Sequence, residues 1–314
     1  MKAILLTTAR NTDNLIYEDV EKPTIKPDEV LVETKALSIN PVDYKVRASE
    51  EVLTMIYGED RPAVLGWDIA GMVVEIGEGV TDFQIGDRVF GMVNFPGQGK
   101  AYAEYVAAPA KHLARIPDGV SVEKAAASTL AALTALQVLV KAQVKKGDKV
   151  LIHAGSGGVG HFAIQIAKAM NAYEITTSSV QNKEVVMALG ADEHFDYRSQ
   201  AFEEILTDVD FVFDMFNGAV LLKSIQVVKE GGTIVSIPTP EFSEEVMQLA
   251  KQKKVDIQFH MVQSSGTDIH TIAELLKNEQ IKPHVSQVFA FDHMAKAHEQ
   301  LESGRTVGKV IVTM

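Results

Sequence analysis

Residues 149–179 constrain the fold of this chain more than any other stretch. They open with a short apolar run, which is typical of a strand buried on both faces. Apolar residues then recur at three- and four-residue spacing, as on an amphipathic helix, and a second apolar run completes the order strand, helix, strand. Between the first strand and the helix, glycines stand in the spacing G-x-G-x-x-G, at Gly155, Gly157 and Gly160.

This glycine turn has the features that a dinucleotide phosphate requires. One glycine turns the chain, one lets the backbone approach a pyrophosphate, and one packs the helix against the strand. We expect the phosphates to bind main-chain amides at the helix N-terminus, where the partial charge is positive. Those amides belong to Ser156, Gly157, Gly158 and Val159. The alternative is an ordinary glycine-rich turn, but the flanking strand and helix favour a binding site.

The end of the second strand indicates which dinucleotide is bound. An NAD site usually has an Asp or Glu about 20 residues after the glycines, which binds the ribose hydroxyls. This chain instead has Ser178 and Ser179, followed by Lys183. Two hydroxyls and a cation suit a 2′-phosphate, so the sequence favours NADPH. Glu174 comes too early to reach the ribose, and the alternative for Lys183 is an ordinary solvated lysine.

Composition limits the classes of protein to which this chain can belong. A length of 314 residues, 46% of them hydrophobic, is enough for two domains with separate cores. The net charge of −12 argues against a nucleic-acid partner, and no apolar run approaches the roughly 20 residues of a membrane span. The N-terminus lacks the basic and apolar regions of a signal peptide, so we expect a cytoplasmic protein. The chain contains no cysteine, which excludes disulfides and thiolate metal ligands.

The order of predicted elements indicates an α/β protein with two kinds of sheet. Residues 1–120 read as short strands between turns, like an antiparallel barrel. Residues 121–264 open on a helix that is capped by Ser121 and includes the alanine-rich run 125–140. They then alternate between strand and helix, which predicts a Rossmann domain with a doubly wound parallel sheet. Residues 265–314 carry two helices and a final strand, which we expect to return to the N-terminal unit.

Eight blocks of the sequence stand in the order of a known family. They are SINPVDYKVR (38–47), VLGWDIAGMVVEIGEGV (64–80), IGDRVFGM (85–92), AYAEYV (101–106), TLAALTALQVL (129–139), VLIHAGSGGVG (150–160), ALGADEHFDYR (188–198) and VGKVIV (307–312). Together they resemble the zinc-free quinone oxidoreductase branch of the medium-chain dehydrogenase/reductase superfamily. The resemblance implies a split substrate domain, a GroES-like β-barrel built from both ends of the chain, beside the Rossmann domain. It also implies a homodimer joined through the strand expected at 255–262.

The same comparison distinguishes this chain from the zinc alcohol dehydrogenases that share the fold. Their catalytic metal needs a cysteine early in the chain, and a histidine followed by glutamate after the glycine that is Gly66 here. This chain has Asn40 in the first region, and Trp67 and Asp68 in the second. Because these residues cannot bind zinc in that way, we expect no metal site.

Without a metal, the implied reaction is hydride transfer from NADPH to a small quinone, or to the β-carbon of an enone or enal. Charge then develops on the acceptor's carbonyl oxygen and must be met by hydrogen-bond donors. The candidates are Asn40, Tyr44 and Lys45, and the resemblance places lysine at the Lys45 position in plant-type enone reductases. The alternative is that Lys45 is a surface lysine and that Asn40 and Asp43 only fix the turn around Pro41.

Three further residues are candidates for binding the coenzyme. Thr134 resembles the family threonine on the nicotinamide side, with helix packing as the alternative. Tyr197 resembles the tyrosine near the adenosine 2′-phosphate, with a half-buried strand-end aromatic as the alternative. Ser236 ends a predicted parallel strand, and dinucleotides bind at that edge of the sheet.

Two other functions remain open at the level of sequence. One is a sensor or structural protein that binds NADPH without turnover, although the donors at Asn40 and Lys45 favour an enzyme. The other is an enoyl-thioester reductase, which would need a basic groove for pantetheine phosphates that the acidic composition does not suggest.

Overall fold

The computed structural model describes residues 1–59 and 61–314 and contains two compact units. Unit 1 consists of Met1–Leu133, Val262–Glu279 and Pro283–Met314. Unit 2 consists of Thr134–Met261 and Gln280–Lys282. The predicted domains, 1–120, 121–264 and 265–314, stay a prediction about independently folding parts of the chain.

The elements are numbered in chain order. The strands are β1 Lys2–Leu6, β2 Leu15–Asp19, β3 Glu29–Ile39, β4 Ala63–Val64, β5 Asp68–Ile76, β6 Arg88–Met92, β7 Tyr105–Pro109, β8 Leu113–Arg115, β9 Lys149–Ile152, β10 Tyr173–Ser178, β11 Glu193–Asp196, β12 Val209–Asp214, β13 Val228–Ser236, β14 Asp256–Phe259, β15 Val285–Ala290 and β16 Lys309–Thr313. The α-helices are α1 Pro41–Ala48, α2 Glu50–Tyr57, α3 Val122–Ala127, α4 Leu130–Lys141, α5 Gly160–Ala169, α6 Lys183–Ala188, α7 Phe202–Ile205, α8 Gly218–Val227, α9 Glu244–Lys253, α10 Gly266–Lys277 and α11 Met294–Glu302.

Unit 1 is built on a largely antiparallel sheet in the order β15-β16-β3-β5-β6-β8, with β7 also paired to β3. A smaller sheet has the order β2-β1-β4. The final strand returns as predicted, because β16 runs antiparallel to β3 with Val310 opposite Ile39. A core of buried aliphatic residues from β1, β3, β5, β6 and β7 holds the unit together. This is the GroES-like part of the α/β fold.

Unit 2 contains a wholly parallel sheet in the order β11-β10-β9-β12-β13-β14. The strand order reverses between β9 and β12, so the carboxyl ends of these two strands form the switch point of a doubly wound sheet. The prediction of a Rossmann domain is therefore confirmed. The strands β9 and β12 are almost entirely buried, which explains their uninterrupted apolar sequences.

The predicted alanine-rich helix is two helices, so that expectation was wrong in one respect. Ser121 caps α3 as expected, and its hydroxyl accepts the N–H of Lys124. The chain then breaks at Ser128 and Thr129, whose hydroxyls donate to main-chain carbonyls of the preceding turn. The carboxylate of Asp68 accepts the N–H of Leu130 and so begins α4 anew. The break depends on a residue far away in the sequence.

Over the described ranges, 1–59 and 61–314, no helix combines the length and the apolar character needed to cross a bilayer.

Candidate active site

The glycine loop of unit 2 joins β9 to α5, and its glycines are needed for different reasons. A Cβ on Gly155 would lie 2.0 Å from Oγ1 of Thr176, and one on Gly160 would lie 2.2 Å from the carbonyl oxygen of Ala154. These two glycines are therefore required by the packing of the loop itself. A Cβ on Gly157 would lie 3.2 Å from the Ala154 oxygen and 3.9 Å from its Cβ, which is a much milder conflict. Close approach of a ligand to the backbone is a further reason for glycine there.

Free main-chain donors lie at the start of α5, in the partly exposed part of this loop. The N–H of Gly157 donates to the Ala154 oxygen at 2.8 Å. Those of Ser156, Gly158 and Val159 donate to no group within the part of the chain that the structure describes. Because N–H groups at a helix N-terminus attract anions, this loop fits a dinucleotide pyrophosphate.

A chain of hydrogen bonds fixes the side chain of His153, which lies between β9 and the glycine loop. The Ser224 hydroxyl donates to the carbonyl oxygen of Val220 at 2.8 Å, so its oxygen accepts from Nε2 of His153, also at 2.8 Å. The other ring nitrogen, Nδ1, then accepts from the Thr177 hydroxyl at 3.0 Å. Burial lowers the pKa of His153 to about 4, so the ring is neutral and fixed in one tautomer. His153 is thus fully bonded inside the core.

The carboxyl ends of β10 and β11 bring together most of the residues predicted to bind a 2′-phosphate. The Oγ of Ser178 lies 2.8 Å from Nε2 of His194. Ser179 is partly exposed, and Lys183 is exposed at the start of α6. Tyr197 is 58% exposed, and its hydroxyl accepts from Nε of Arg198 at 3.2 Å. This edge of the sheet therefore carries three serine or tyrosine hydroxyls and two cations, from Ser178, Ser179, Tyr197, Lys183 and Arg198.

Sequence reasoning missed His194 and Arg198 at this edge. Burial and the nearby Lys183 charge lower the pKa of His194 below its usual value, so the imidazole is neutral near pH 7. Both residues lie in the block ALGADEHFDYR, but no spacing rule connects them to the glycines. Parallel pairing of β10 with β11, which places Ser178 opposite Asp196, is what aligns them.

Glu174 is not at this edge, as its early position in the strand predicts. It is fully buried within β10, and neither carboxyl oxygen has a hydrogen-bond partner among residues 1–59 and 61–314. Burial, with the Asp192 charge second, raises the pKa of Glu174 well above its ordinary value.

The remaining predicted coenzyme residues are buried. Ser236, at the end of β13, donates to the carboxylate of Asp214 at 2.6 Å. That carboxylate also accepts the N–H of Asn217 at 3.0 Å, so it fixes the chain after β12. Thr134 lies in α4 with 4% of its surface exposed. The roles of Ser236 and Thr134 in coenzyme binding stay predictions.

In unit 1, the predicted acceptor-binding residues lie at the start of α1, but they differ in exposure. Asn40 is the N-cap of α1 and is buried, whereas Tyr44 is partly exposed and Lys45 is exposed. The carboxylate of Asp43 accepts the Asn40 N–H at 2.7 Å, which fixes the first turn of the helix. Within the described ranges Lys45 forms no ion pair.

The Asn40 side chain belongs to a buried polar cluster, the Asn40 cluster, which consists of Asn40, Asp43, Asp68 and Lys309. Its amide nitrogen donates to Oδ2 of Asp68 at 2.7 Å, and its amide oxygen accepts from the Lys309 ammonium. None of the four residues is more than 3% exposed. Sequence reasoning missed Asp68 and Lys309 as members, because tertiary folding alone brings β5 and β16 to the end of β3.

The electrostatics of this cluster follow from its burial. Burial, followed by the charge of Asp68, raises the pKa of Asp43 to about 7. Burial also raises the pKa of Asp68, and the Lys309 charge opposes that effect. The pKa of Lys309 is lowered by burial, with both carboxylates acting against the shift. These residues thus titrate as a coupled group.

A second set of hydrogen bonds joins α1 to α11 and to Tyr102. The hydroxyl of Tyr102 lies 3.0 Å from Nε2 of His298, which belongs to α11. Arg47, in α1, donates from Nε to Nδ1 of His298 at 3.3 Å and pairs with Glu302. Because Nδ1 accepts this bond, the proton of the neutral His298 ring is on Nε2 and is directed at the Tyr102 hydroxyl. Arginine, histidine and tyrosine therefore hold α1 in place.

The positions that bind zinc in the related alcohol dehydrogenases have other partners here. Trp67 is fully buried and donates from Nε1 to the carbonyl oxygen of Gly97 at 2.6 Å, while Asp68 belongs to the Asn40 cluster. No group of three or more histidine, aspartate or glutamate side chains in the described part of the chain is arranged to hold a metal ion.

Two family profiles match the chain. The one described as "Alcohol dehydrogenase GroES-like domain" matches residues 26–118, and the one described as "Zinc-binding dehydrogenase" matches residues 189–312.

Similar proteins are known by sequence and by structure. The 2-methylene-furan-3-one reductase of Solanum lycopersicum is 34% identical over 99% of this chain and 79% of its own length. The chloroplastic NADPH-dependent alkenal/one oxidoreductase of Arabidopsis thaliana is 32% identical over the same shares. The structure of the quinone oxidoreductase from Coxiella burnetii is 37% identical and superposes with a TM-score of 0.93, covering 100% of this chain and 99% of that one.

Proposed function

Because this chain belongs to the medium-chain dehydrogenase/reductase superfamily, we propose that it is an NADPH-dependent reductase of quinones or α,β-unsaturated carbonyl compounds that needs no metal. The observation that carries the proposal is that the N–H groups of Ser156, Gly158 and Val159 donate to nothing in residues 1–59 and 61–314. They flank Gly157, where the loop itself excludes a side chain less strictly than at Gly155 or Gly160, so approach of a ligand supports the choice of glycine. The names of the relatives, which specify a furanone, alkenals or enones, and a quinone, supply the acceptor class.

The edge formed by β10 and β11 supports NADPH rather than NADH. Ser179, Lys183 and Tyr197 present two hydroxyls and a cation there, beside the buried Ser178, which suits a doubly charged 2′-phosphate. The one buried carboxylate of this strand, Glu174, is enclosed in the core and is not available to ribose hydroxyls.

When bound, the reduced nicotinamide supplies a hydride. The task of the chain is then to meet the negative charge that forms on the acceptor oxygen. We assign this task to Asn40, Tyr44 and Lys45, of which Lys45 brings a full positive charge. Thr134 and Ser236 orient the coenzyme. Absence of cysteine, with Asn40 and Trp67 where zinc relatives have ligands, supports a reaction in which hydrogen-bond donors replace a metal.

The assembly and location of the protein are also proposals. We infer a homodimer in which β14 of one subunit pairs with β14 of another, because this strand ends the sheet of unit 2. Met247 and Met261, beside that edge, are 50% and 48% exposed. We also propose a cytoplasmic location, which cell fractionation tests.

The reaction itself is tested by NADPH oxidation with a panel of benzoquinones, enones, enals and an enoyl thioester. We expect turnover with quinones or enones, little with the thioester, and no loss of rate after dialysis against a metal chelator. Tight NADPH binding without turnover of any acceptor contradicts the proposal and supports a sensor. Turnover of the thioester alone supports an enoyl-thioester reductase, and loss of activity with the chelator contradicts a reaction without metal.

A further inference from the structure

The Asn40 cluster is larger than the start of a helix requires. A serine at an N-cap is sufficient elsewhere in this chain, as Ser243 shows at α9. Here an asparagine is bonded to a buried ammonium and a buried carboxylate, and ionised groups are costly to bury. The proposed coenzyme contacts make no use of Asp68 or Lys309.

From this arrangement we propose that Asp68 and Lys309 are positioning residues for the reduction: they hold the Asn40 amide in one orientation, with a single N–H available to the acceptor's oxygen. The inference rests on the proposed function.

The bonds of the Asn40 amide determine that orientation. Oδ1 accepts from Lys309, and one hydrogen of Nδ2 goes to Asp68. The second Nδ2–H has no acceptor among residues 1–59 and 61–314. Turning the amide by half a rotation would place its oxygen against the Asp68 carboxylate and its NH₂ group against the Lys309 ammonium. Both contacts are repulsive, so the pair of opposite charges prevents the turn.

The two charged groups are themselves fixed to the framework of unit 1. Oδ1 of Asp68 accepts the Leu130 N–H at 3.1 Å, at the first residue of α4. The Lys309 ammonium also donates to the carbonyl oxygen of Ile39 at 3.2 Å, at the end of β3. Since Asn40 follows β3 directly, its main chain and its side chain are both held. A donor held in this way needs little reorganisation when charge forms next to it.

Lys309 also increases the strength of the remaining donor. A cation bound to the oxygen of an amide draws electron density from the nitrogen, which makes the second N–H a better donor. The effect is large in a buried site because water does not screen it. Lys309 thus acts on the acceptor through Asn40 and not by contact.

The test is a cycle of variants that keeps the cluster electrically balanced. Asp68→Asn combined with Lys309→Met removes both charges, and Asn40→Ala is made alone and in that background. Single-turnover hydride transfer is measured at saturating acceptor, with NADPH affinity and thermal unfolding measured on each variant. Glu33→Gln combined with Lys35→Met, which removes a surface ion pair on β3, is the matched control.

We expect the charge-removing pair to slow hydride transfer by about 10- to 100-fold, with NADPH affinity within about twofold of wild type. In the Asn40→Ala background the same pair should cause no further loss, because its effect passes through the amide. If Asp68 and Lys309 had a purely structural role, the charge-removing pair would slow hydride transfer by the same factor in both backgrounds, so its effect would multiply that of Asn40→Ala.

Three results would overturn the inference: a wild-type rate in the charge-removing pair, multiplying losses in the triple variant, or equal slowing in the surface control. If the pair does not fold, Asp68→Asn alone takes its place in the same cycle. Absence of turnover in the wild-type protein would refute the proposed function first and this inference with it. Turnover that the variants leave unchanged refutes only the inference.

Discussion

At the scale of single residues, the glycine loop separates positions that the protein needs from a position that a ligand needs. Gly155 touches Thr176 in the neighbouring strand so closely that any side chain would displace it. Gly157 faces far less protein and lies among the free N–H donors. Substitution of these two glycines should therefore affect different properties.

Gly155→Ala should destabilise the protein, and Gly157→Ala should weaken coenzyme binding. We expect Gly155→Ala to lower the free energy of unfolding by about 1–3 kcal/mol, because its Cβ would overlap Thr176. Gly157→Ala should change that free energy by less than about 1 kcal/mol, but it should weaken NADPH binding by about tenfold. Denaturant unfolding without coenzyme and a fluorescence titration measure the two effects. If Gly157→Ala binds NADPH normally, the loop is an ordinary turn.

Lys183 should set the preference for the phosphorylated coenzyme. We expect Lys183→Ala to weaken NADPH binding by about tenfold, the value of a charged hydrogen bond of about 1.4 kcal/mol, and to leave NADH binding unchanged. Lys251→Ala, at an exposed lysine of α9, is the control. Titration with both coenzymes in low and high salt provides the measurement. An equal loss for NADH, or equal affinities in the wild type, would remove the phosphate role of this edge.

At the scale of elements, periodicity was sufficient wherever a strand is buried and bounded by turns. The short strands of residues 1–120 and the alternation of strand and helix over 121–264 were predicted, and β5, β6, β9 and β12 are mostly buried. The strand β15 was not predicted, because its residues are mostly exposed and an edge strand has no buried face to impose alternation. The break between α3 and α4 was missed because its cause, Asp68, lies on another element.

The candidate site shows the same division between local and distant causes. The glycine loop and its free donors follow from a motif within one strand, turn and helix, so sequence was sufficient to find them. The Asn40 cluster joins the ends of β3 and β5, the start of α4 and the start of β16. No spacing rule connects residues so far apart, and only the pairing of β16 with β3 places Lys309 beside Asn40.

The edge strand β14 gives a prediction about assembly. We expect Met247→Glu combined with Met261→Glu to convert a dimer into monomers, because two like charges would meet across the pairing edges. Met55→Glu, at a methionine of unit 1 that is 76% exposed, is the control and should leave the mass unchanged. Sedimentation velocity at several concentrations checks this. A monomeric wild-type protein, or dissociation caused by the control alone, contradicts the proposed interface.

At the scale of the whole molecule, buried ionisable groups should make stability depend on pH from both sides. Burial lowers the pKa of His153 to about 4 and that of His298 to about 3, so stability is lost as pH falls below about 6.5 and the unfolded chain takes up protons. Burial raises the pKa of Asp43 to about 7, so its contribution is present at low pH and is lost as pH rises towards 7. The two effects oppose each other between about pH 4 and pH 6.5, so stability should change less with pH in that range than either effect alone would give.

Glu174 allows one of these slopes to be isolated. Its folded-state pKa lies above the ordinary value of 4.5, so above that pH the unfolded chain releases a proton that the folded chain retains. For each pH unit above 4.5, the free energy of unfolding of the wild type falls by about 1.4 kcal/mol, until the folded-state pKa is reached. Glu174→Gln has the same shape and no proton to retain. Its stability relative to wild type should therefore rise as the pH increases above about 5, as measured by urea unfolding. Glu184→Gln, at an exposed carboxylate of α6, should show no such trend. A difference that is constant with pH would mean that Glu174 ionises equally readily in the folded and unfolded chains.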